Sequence, residues 1–317
     1  MRPNNNGSSP GLPVFPDFRP LDLADRKVIQ DFLWAYQPET SELTFTNLFI
    51  WQAGCGYEWS LDRDWLLVVG HSPEVGAFAL PPVGPAPRRE VCARVLTWLA
   101  EEKKAASPGV ERADRRLADE LAGGSNFVAE PVRNHFDYVY RTEDLIHLAG
   151  GKYHAKRNHI NTVTRNYSCR YEDLTARHLP ACRELAAAWC RLKRCDDDLN
   201  LRGEWSAVEA ALNHLEALVL QGGVILVNEK VEAFSLGELL NRETAVVHVE
   251  KANPEIPGLY ALINQQFCER AFAGVPFINR EQDLGEPGLR TAKLSYHPHR
   301  LVEKFRITGT PYLIPKT

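Results

Sequence analysis

Residues 150–167 read GGKYHAKRNHINTVTRNY, with Lys152, Lys156, Arg157 and Arg165 set among His154 and His159 and no acid. The whole chain has a net charge of −4, which becomes −8 without those four cations, so the basic stretch is a local feature. Ammonium and guanidinium groups at helical spacing suit phosphate, Lys as a point charge and Arg as a two-pronged fork. On a helix, Lys152, Lys156 and His159 share one face by four- and three-residue steps. Tyr153, Ile160, Val163 and Tyr167 share another, with His154, Asn158, Asn161 and Arg165 as a neighbouring polar stripe. The spacing predicts a helix that packs by its apolar face and offers Lys152, Lys156, Arg157 and Asn158 to phosphates of tRNA or of a lipid head group. The plainer reading pairs these cations with acids of the flanking domains.

A second polar stretch, NREQDLGEPGLRTAKLSYHP, begins at Asn279. Asn279 and Glu281 fall at the C-terminal end of an expected strand, and Arg290 and Lys293, three residues apart, share a helix face. Together they can grip a phosphate or a carboxylate. The plainer readings are a helix-capping Asp283 and an Arg290 paired with Glu281 or Glu286. Asp196, Asp197 and Asp198 are followed by a Gly and a Glu at the wrong spacing for a calcium loop, and read as a solvated loop or one that binds an acceptor amine. No GxSxG, Walker A or HExxH pattern occurs, and no metal is expected. The seven cysteines include no CxxC pair and read as free thiols, mostly buried. With no apolar run of roughly 18–20 residues and no export signal, the chain is expected to be cytoplasmic without a transmembrane segment. The acidic balance argues against a DNA-binding protein.

These residues need a scaffold. At 317 residues, 44% hydrophobic and 25% charged, the chain suits two globular domains. Residues 1–15, rich in Asn, Ser, Gly and Pro, are expected to be a disordered tail. A strand and a helix follow, then SELTFTNLFIWQ, which periodicity leaves open between helix and strand. Strands are expected in EWSLDRDWLLVVG and GAFALPPVG, a helix in PRREVCARVLTWLAEEKK, and strands again in Phe127–Val128 and Phe136–Tyr140. The second half repeats the pattern: a short strand, two helices, three strands in GVILVNE, KVEAFSLGELLN and ETAVVHVEKA, a helix after NPEIPGLY, then strands in PFINRE and LVEKFRIT. The division is a tail over 1–15, a domain over 16–148, a linker helix over 149–167 and a second domain over 168–317.

The order of meander, loop, helix and strand resembles the GNAT acyltransferase fold. SELTFTNLFIW, GGKYHAKRNHIN, HVEKANPEIPGLYALINQQF, NREQDLGEPGLRTAKLSYHP and LVEKFRI look like the phosphatidylglycerol lysyltransferase C-terminal domain family, which is similar to the Fem-type peptidyltransferases. The resemblance runs from about Pro16 to Thr308. It implies an α+β protein of two tandem GNAT-like domains, the second catalytic, and transfer of an aminoacyl group from aminoacyl-tRNA to a hydroxyl or amine, on a lipid or another small molecule, with no further cofactor. It also implies that Glu250, at a strand end, takes a proton from the acceptor and that Tyr296 gives one to the leaving group. The carbonyl would be held by backbone N–H groups where two strands separate. Gly258 would sit in the donor loop, but Pro254 and Pro257 remove two N–H donors and the Gly-x-Gly pattern of acyl-CoA enzymes is missing. An acyl-CoA-dependent N-acyltransferase and a catalytically silent module binding RNA or a charged ligand are the alternatives.

Overall fold

Alternating side chains divide both large sheets of the computed structural model, which describes residues 11–123, 126–194 and 199–309. In the first half come β1 (Arg19–Pro20), α1 (Arg26–Tyr36), α2 (Phe45–Ile50), α3 (Gln52–Cys55), β2 (Glu58–Asp62), β3 (Trp65–Ser72) and β4 (Gly76–Ala79). They are followed by α4 (Arg89–Glu101), β5 (Gly109–Ala113), α5 (Arg115–Ala122), β6 (Phe127–Pro131), β7 (Asp137–Arg141) and α6 (Thr142–His147). The basic segment is a turn of 3-10 helix over Gly151–Tyr153 running into α7 (His154–Asn166). Then come β8 (Cys169–Asp173), α8 (Leu179–Lys193), α9 (Leu199–Asn213), α10 (Leu215–Leu218), β9 (Gln221–Val227), β10 (Lys230–Leu239) and β11 (Thr244–Ala252). The chain continues through α11 (Leu259–Phe272), β12 (Phe277–Asn279), α12 (Pro287–Leu294), β13 (Arg300–Val302) and β14 (Phe305–Gly309).

The strands form two seven-stranded sheets, in the orders β1-β2-β3-β4-β5-β14-β6 and β8-β9-β10-β11-β12-β7-β13. Set side by side, the two orders match strand for strand, and both sheets are antiparallel except at one step, β4–β5 and β11–β12. The protein is therefore α+β and internally duplicated. One position differs in origin: β14 completes the first sheet and β7 the second. The expected contiguous halves, 16–148 and 168–317, thus exchange a strand.

Period-two alternation sends neighbouring side chains to opposite faces. Leu66 and Val68 of β3, with Phe234 and Leu236 of β10, face one shared core that also holds Phe45 and Leu48 of α2 and Ala207 and Ala211 of α9. Leu67 and Val69 face the outer helices α4 and α5. Ile225, Ala233 and Val247 face α7 and α11. The result is five layers, helix–sheet–helix–sheet–helix.

Four expectations are settled or changed. SELTFTNLFIWQ is helical from Phe45, because Thr44 in extended backbone accepts the Asn47 N–H at 3.0 Å and caps the first turn. LVEKFRIT is two strands, broken where Lys304 turns inward at the crossing between sheets. Residues 13–15, expected in the tail, are tied to Leu61 by backbone hydrogen bonds of 2.8 and 2.9 Å. Cys190 is disulfide-bonded, contrary to the expectation of free thiols, while Cys92, Cys182 and Cys268 are free and buried. Asp196, Asp197 and Asp198 lie outside the described residues.

Candidate active site at the parting of β11 and β12

β11 and β12 run parallel only through Thr244–Val246 and Phe277–Asn279. Beyond that the strands part, because the chain after Asn279 is held elsewhere. Glu281 has a left-handed backbone (φ +56°), and the Lys293 ammonium donates to three successive carbonyls, those of Arg280, Glu281 and Gln282. Burial lowers the Lys293 pKa to about 8. Lys304, fully buried, donates to Gln282 Oε1 at 2.9 Å and to Asp137 and Glu42 at 2.6 Å each. Two buried lysines therefore set the course of residues 280–282.

The parted strands carry charge on both faces. Pairing of β10 with β11 skips His248, so the faces of β11 are reset by a bulge. Toward the central helices, His248 Nδ1 contacts Glu281 at 2.9 Å and Nε2 contacts Glu238 at 3.0 Å, while Asn47 of α2 donates to Glu281 at 3.3 Å. Burial opposes the charge on His248, but the two carboxylates outweigh it and raise the pKa to about 9. A histidine raised from about 6.5 adds stability that is complete below that pH and lost as pH rises through about 9. His248→Gln is therefore most destabilising near pH 6, by on the order of 3 kcal/mol, and converges on the parent protein above about pH 9. Thermal melts across this range check it, and a pH-independent difference would contradict it.

Toward α7 and α11, Arg280 Nη2 donates to Glu250 Oε1 at 2.8 Å and Asn264 Nδ2 of α11 donates to Glu250 Oε2 at 2.9 Å. The Arg280 guanidinium lies 4.8 Å from the Tyr296 ring centroid, the Lys156 ammonium 4.0 Å, and the Tyr140 ring meets Tyr296 edge to face. Burial pushes the Tyr296 phenol up to about 12, so it keeps its proton at neutral pH. Burial also lowers the Lys156 pKa, with Arg280 acting in the same direction. The group joins an acceptor carboxylate, a protonated phenol and two cations at the mouth of an unpaired strand edge. In the first sheet the chain after β4 stays against β3 and is buried: Leu80 and Val83 are 1% exposed and Val83 bridges to Leu66.

Of the residues singled out by sequence, Glu250, Tyr296 and Lys156 come together here. Gly258 starts α11 at φ +93°, where a Cβ would stand 2.2 Å from the His159 carbonyl oxygen; it lets α7 press against the loop after β11. Arg157 donates to the Leu148 and Gly150 carbonyls and so pins the start of its own helix. Lys152 lies 3.8 Å from Asp144 and Asn158 contacts His154, and both side chains are exposed. Asn279 is buried and donates to Asp137 at 3.0 Å. Arg290 pairs with Asp283 at 2.8 Å, not with Glu281 or Glu286. Arg280, Asn264 and His248 were missed as site residues; Asn264 left one signal, a polar residue on the apolar stripe of LYALINQQF.

The fold is that of the GNAT-like acyltransferase class, built from two tandem domains. The chain belongs to the phosphatidylglycerol lysyltransferase C-terminal family, whose sequence profile matches residues 35–308. A conserved protein of unknown function from Bacteroides thetaiotaomicron VPI-5482 is 34% identical over 92% of this chain and 99% of that one, with a TM-score of 0.86. The structure of L-PGS from Bacillus licheniformis shares the fold at 13% identity, covering 90% and 91% of the two chains, with a TM-score of 0.61. A tandem GNAT protein from the clavulanic acid biosynthesis pathway does so at 10% identity over 95% and 99%, with a TM-score of 0.51. No curated protein matches the chain. Among the described residues no helix is long and apolar enough to cross a membrane, and no cluster of His, Cys, Asp or Glu is placed to hold a metal.

Proposed function

We propose that the protein transfers an aminoacyl group from aminoacyl-tRNA to a hydroxyl or amine acceptor at the parting of β11 and β12. One observation carries the reading: Lys156, 4.0 Å over the Tyr296 ring, brings the basic helix α7 into the group around Glu250. Lys152, His154, His159 and Arg165 of the same basic segment are exposed, a surface on which a phosphate chain leading to the site can lie. Glu250 takes the proton as the acceptor oxygen or nitrogen attacks the ester carbonyl. The new C–O or C–N bond forms, the bond to the ribose oxygen breaks, and Tyr296 protonates that oxygen. Proton exchange with water restores both groups.

Filter retention of aminoacylated tRNA tests the donor. Retention should fall with salt, and Lys152→Glu with Arg165→Glu should flatten that dependence by roughly 0.7–0.9 log units for each phosphate no longer neutralised. These two replace Arg157 as probes because Arg157 is spent on backbone carbonyls. No retention, together with an undiminished aminoacyl ester after incubation with lipid and amine acceptors, would sink the proposal.

A further inference from the structure

Glu250 is held through both carboxylate oxygens, and each of its two partners is left with one unused polar atom. Arg280 spends Nη2 on Oε1, and its Nη1 is buried with no hydrogen-bond partner. Asn264, 1% exposed, spends Nδ2 on Oε2, and its Oδ1 is buried with no partner. The orientation of the Asn264 amide is settled by chemistry. An ionised carboxylate only accepts, so turning the amide over would set oxygen against oxygen. The unused atom is therefore an acceptor. Arg280 has no acceptor at all, so its unused atom is a donor. Buried polar groups left unmet are costly, on the order of 1–3 kcal/mol each, and are commonly met by a bound molecule.

We propose that Asn264 is a specificity-determining residue: its Oδ1 accepts an N–H from the α-amino group of a substrate whose adjacent carbonyl oxygen is held by Arg280 Nη1. An α-aminoacyl group carries that donor and that acceptor on adjacent carbons, whereas a plain acyl group carries only the acceptor. Asn264 thus separates aminoacyl from simple acyl donors, which rests on the transfer reading for its purpose but not for its geometry.

The test uses the full chain and small probes, so it needs neither tRNA nor turnover. Alaninamide offers the ammonium and the carbonyl; N-acetylalaninamide keeps the carbonyl and hides the amine. Calorimetric titration or a thermal-shift series at millimolar probe should show alaninamide bound at least about tenfold more tightly than its acetylated form. Asn264→Leu should erase that preference, and Asn264→Gln, which keeps an amide oxygen and an N–H for Glu250, should retain part of it. Equal affinity for the two probes, no binding of alaninamide, or a preference that survives Asn264→Leu overturns the assignment. If the preference holds while charged tRNA is not retained on filters, the tRNA donor fails and the amino-group site stands.

Discussion

Replacing Lys304 with methionine lowers the unfolding free energy by roughly 3–5 kcal/mol, the range for removing one partner of a buried ion pair. The lysine and Asp137 are both fully buried, and Glu42 is 7% exposed at its side chain. Methionine keeps the stem and its packing but leaves Asp137 with no cation and Gln282 without a donor. Urea unfolding should show a lower midpoint with an unchanged slope. Adding Asp137→Asn should recover part of the loss, because a neutral amide replaces the stranded carboxylate. A change within the ±0.5 kcal/mol of an ordinary surface substitution would mean that the knot contributes nothing net.

Glu250→Gln lowers kcat for aminoacyl transfer by roughly 10²–10⁴-fold, if this carboxylate is the proton acceptor. Glutamine is close in shape, and Asn264 can turn its amide to meet the new NH2 group, so the fold should survive. Single-turnover rates with charged tRNA and an excess of acceptor measure the effect. A variant that keeps its melting temperature and its parent rate would reduce Glu250 to a structural partner of Arg280.

The strands and most helices of the second half were legible because their signals are local. Period-two runs bounded by Asn228-Glu229 and Asn241-Arg242 end where the turns fall. The exchange of β7 and β14 left no such trace, since a strand's own sequence does not say which sheet it joins. The α5 helix, β5 and α6 also escaped notice, their short apolar patterns being lost among charges. Within the site, Glu250 and Tyr296 entered through family resemblance. The residue that links them, Arg280, stood in a run of polar residues with nothing to set it apart. Lys293, Arg290 and Glu281 looked like substrate ligands by composition. In the folded chain they bind, respectively, three carbonyls, an aspartate and a histidine. Charge in a sequence says that a partner exists, and only the fold says whether it is the protein itself.

The exchanged strand sets an order of events during synthesis. β5 and β6 are neighbours in sequence, but the place between them belongs to β14, made nearly two hundred residues later. The first sheet cannot close while the ribosome is still extending the second half. Emerging chains therefore hold an open pair of strand edges until residue 309 is free, and those edges can recruit other chains. The same pairing ties the beginning and end of the molecule into one cooperative unit, so neither half can be expected to melt, or to be cut away, without the other.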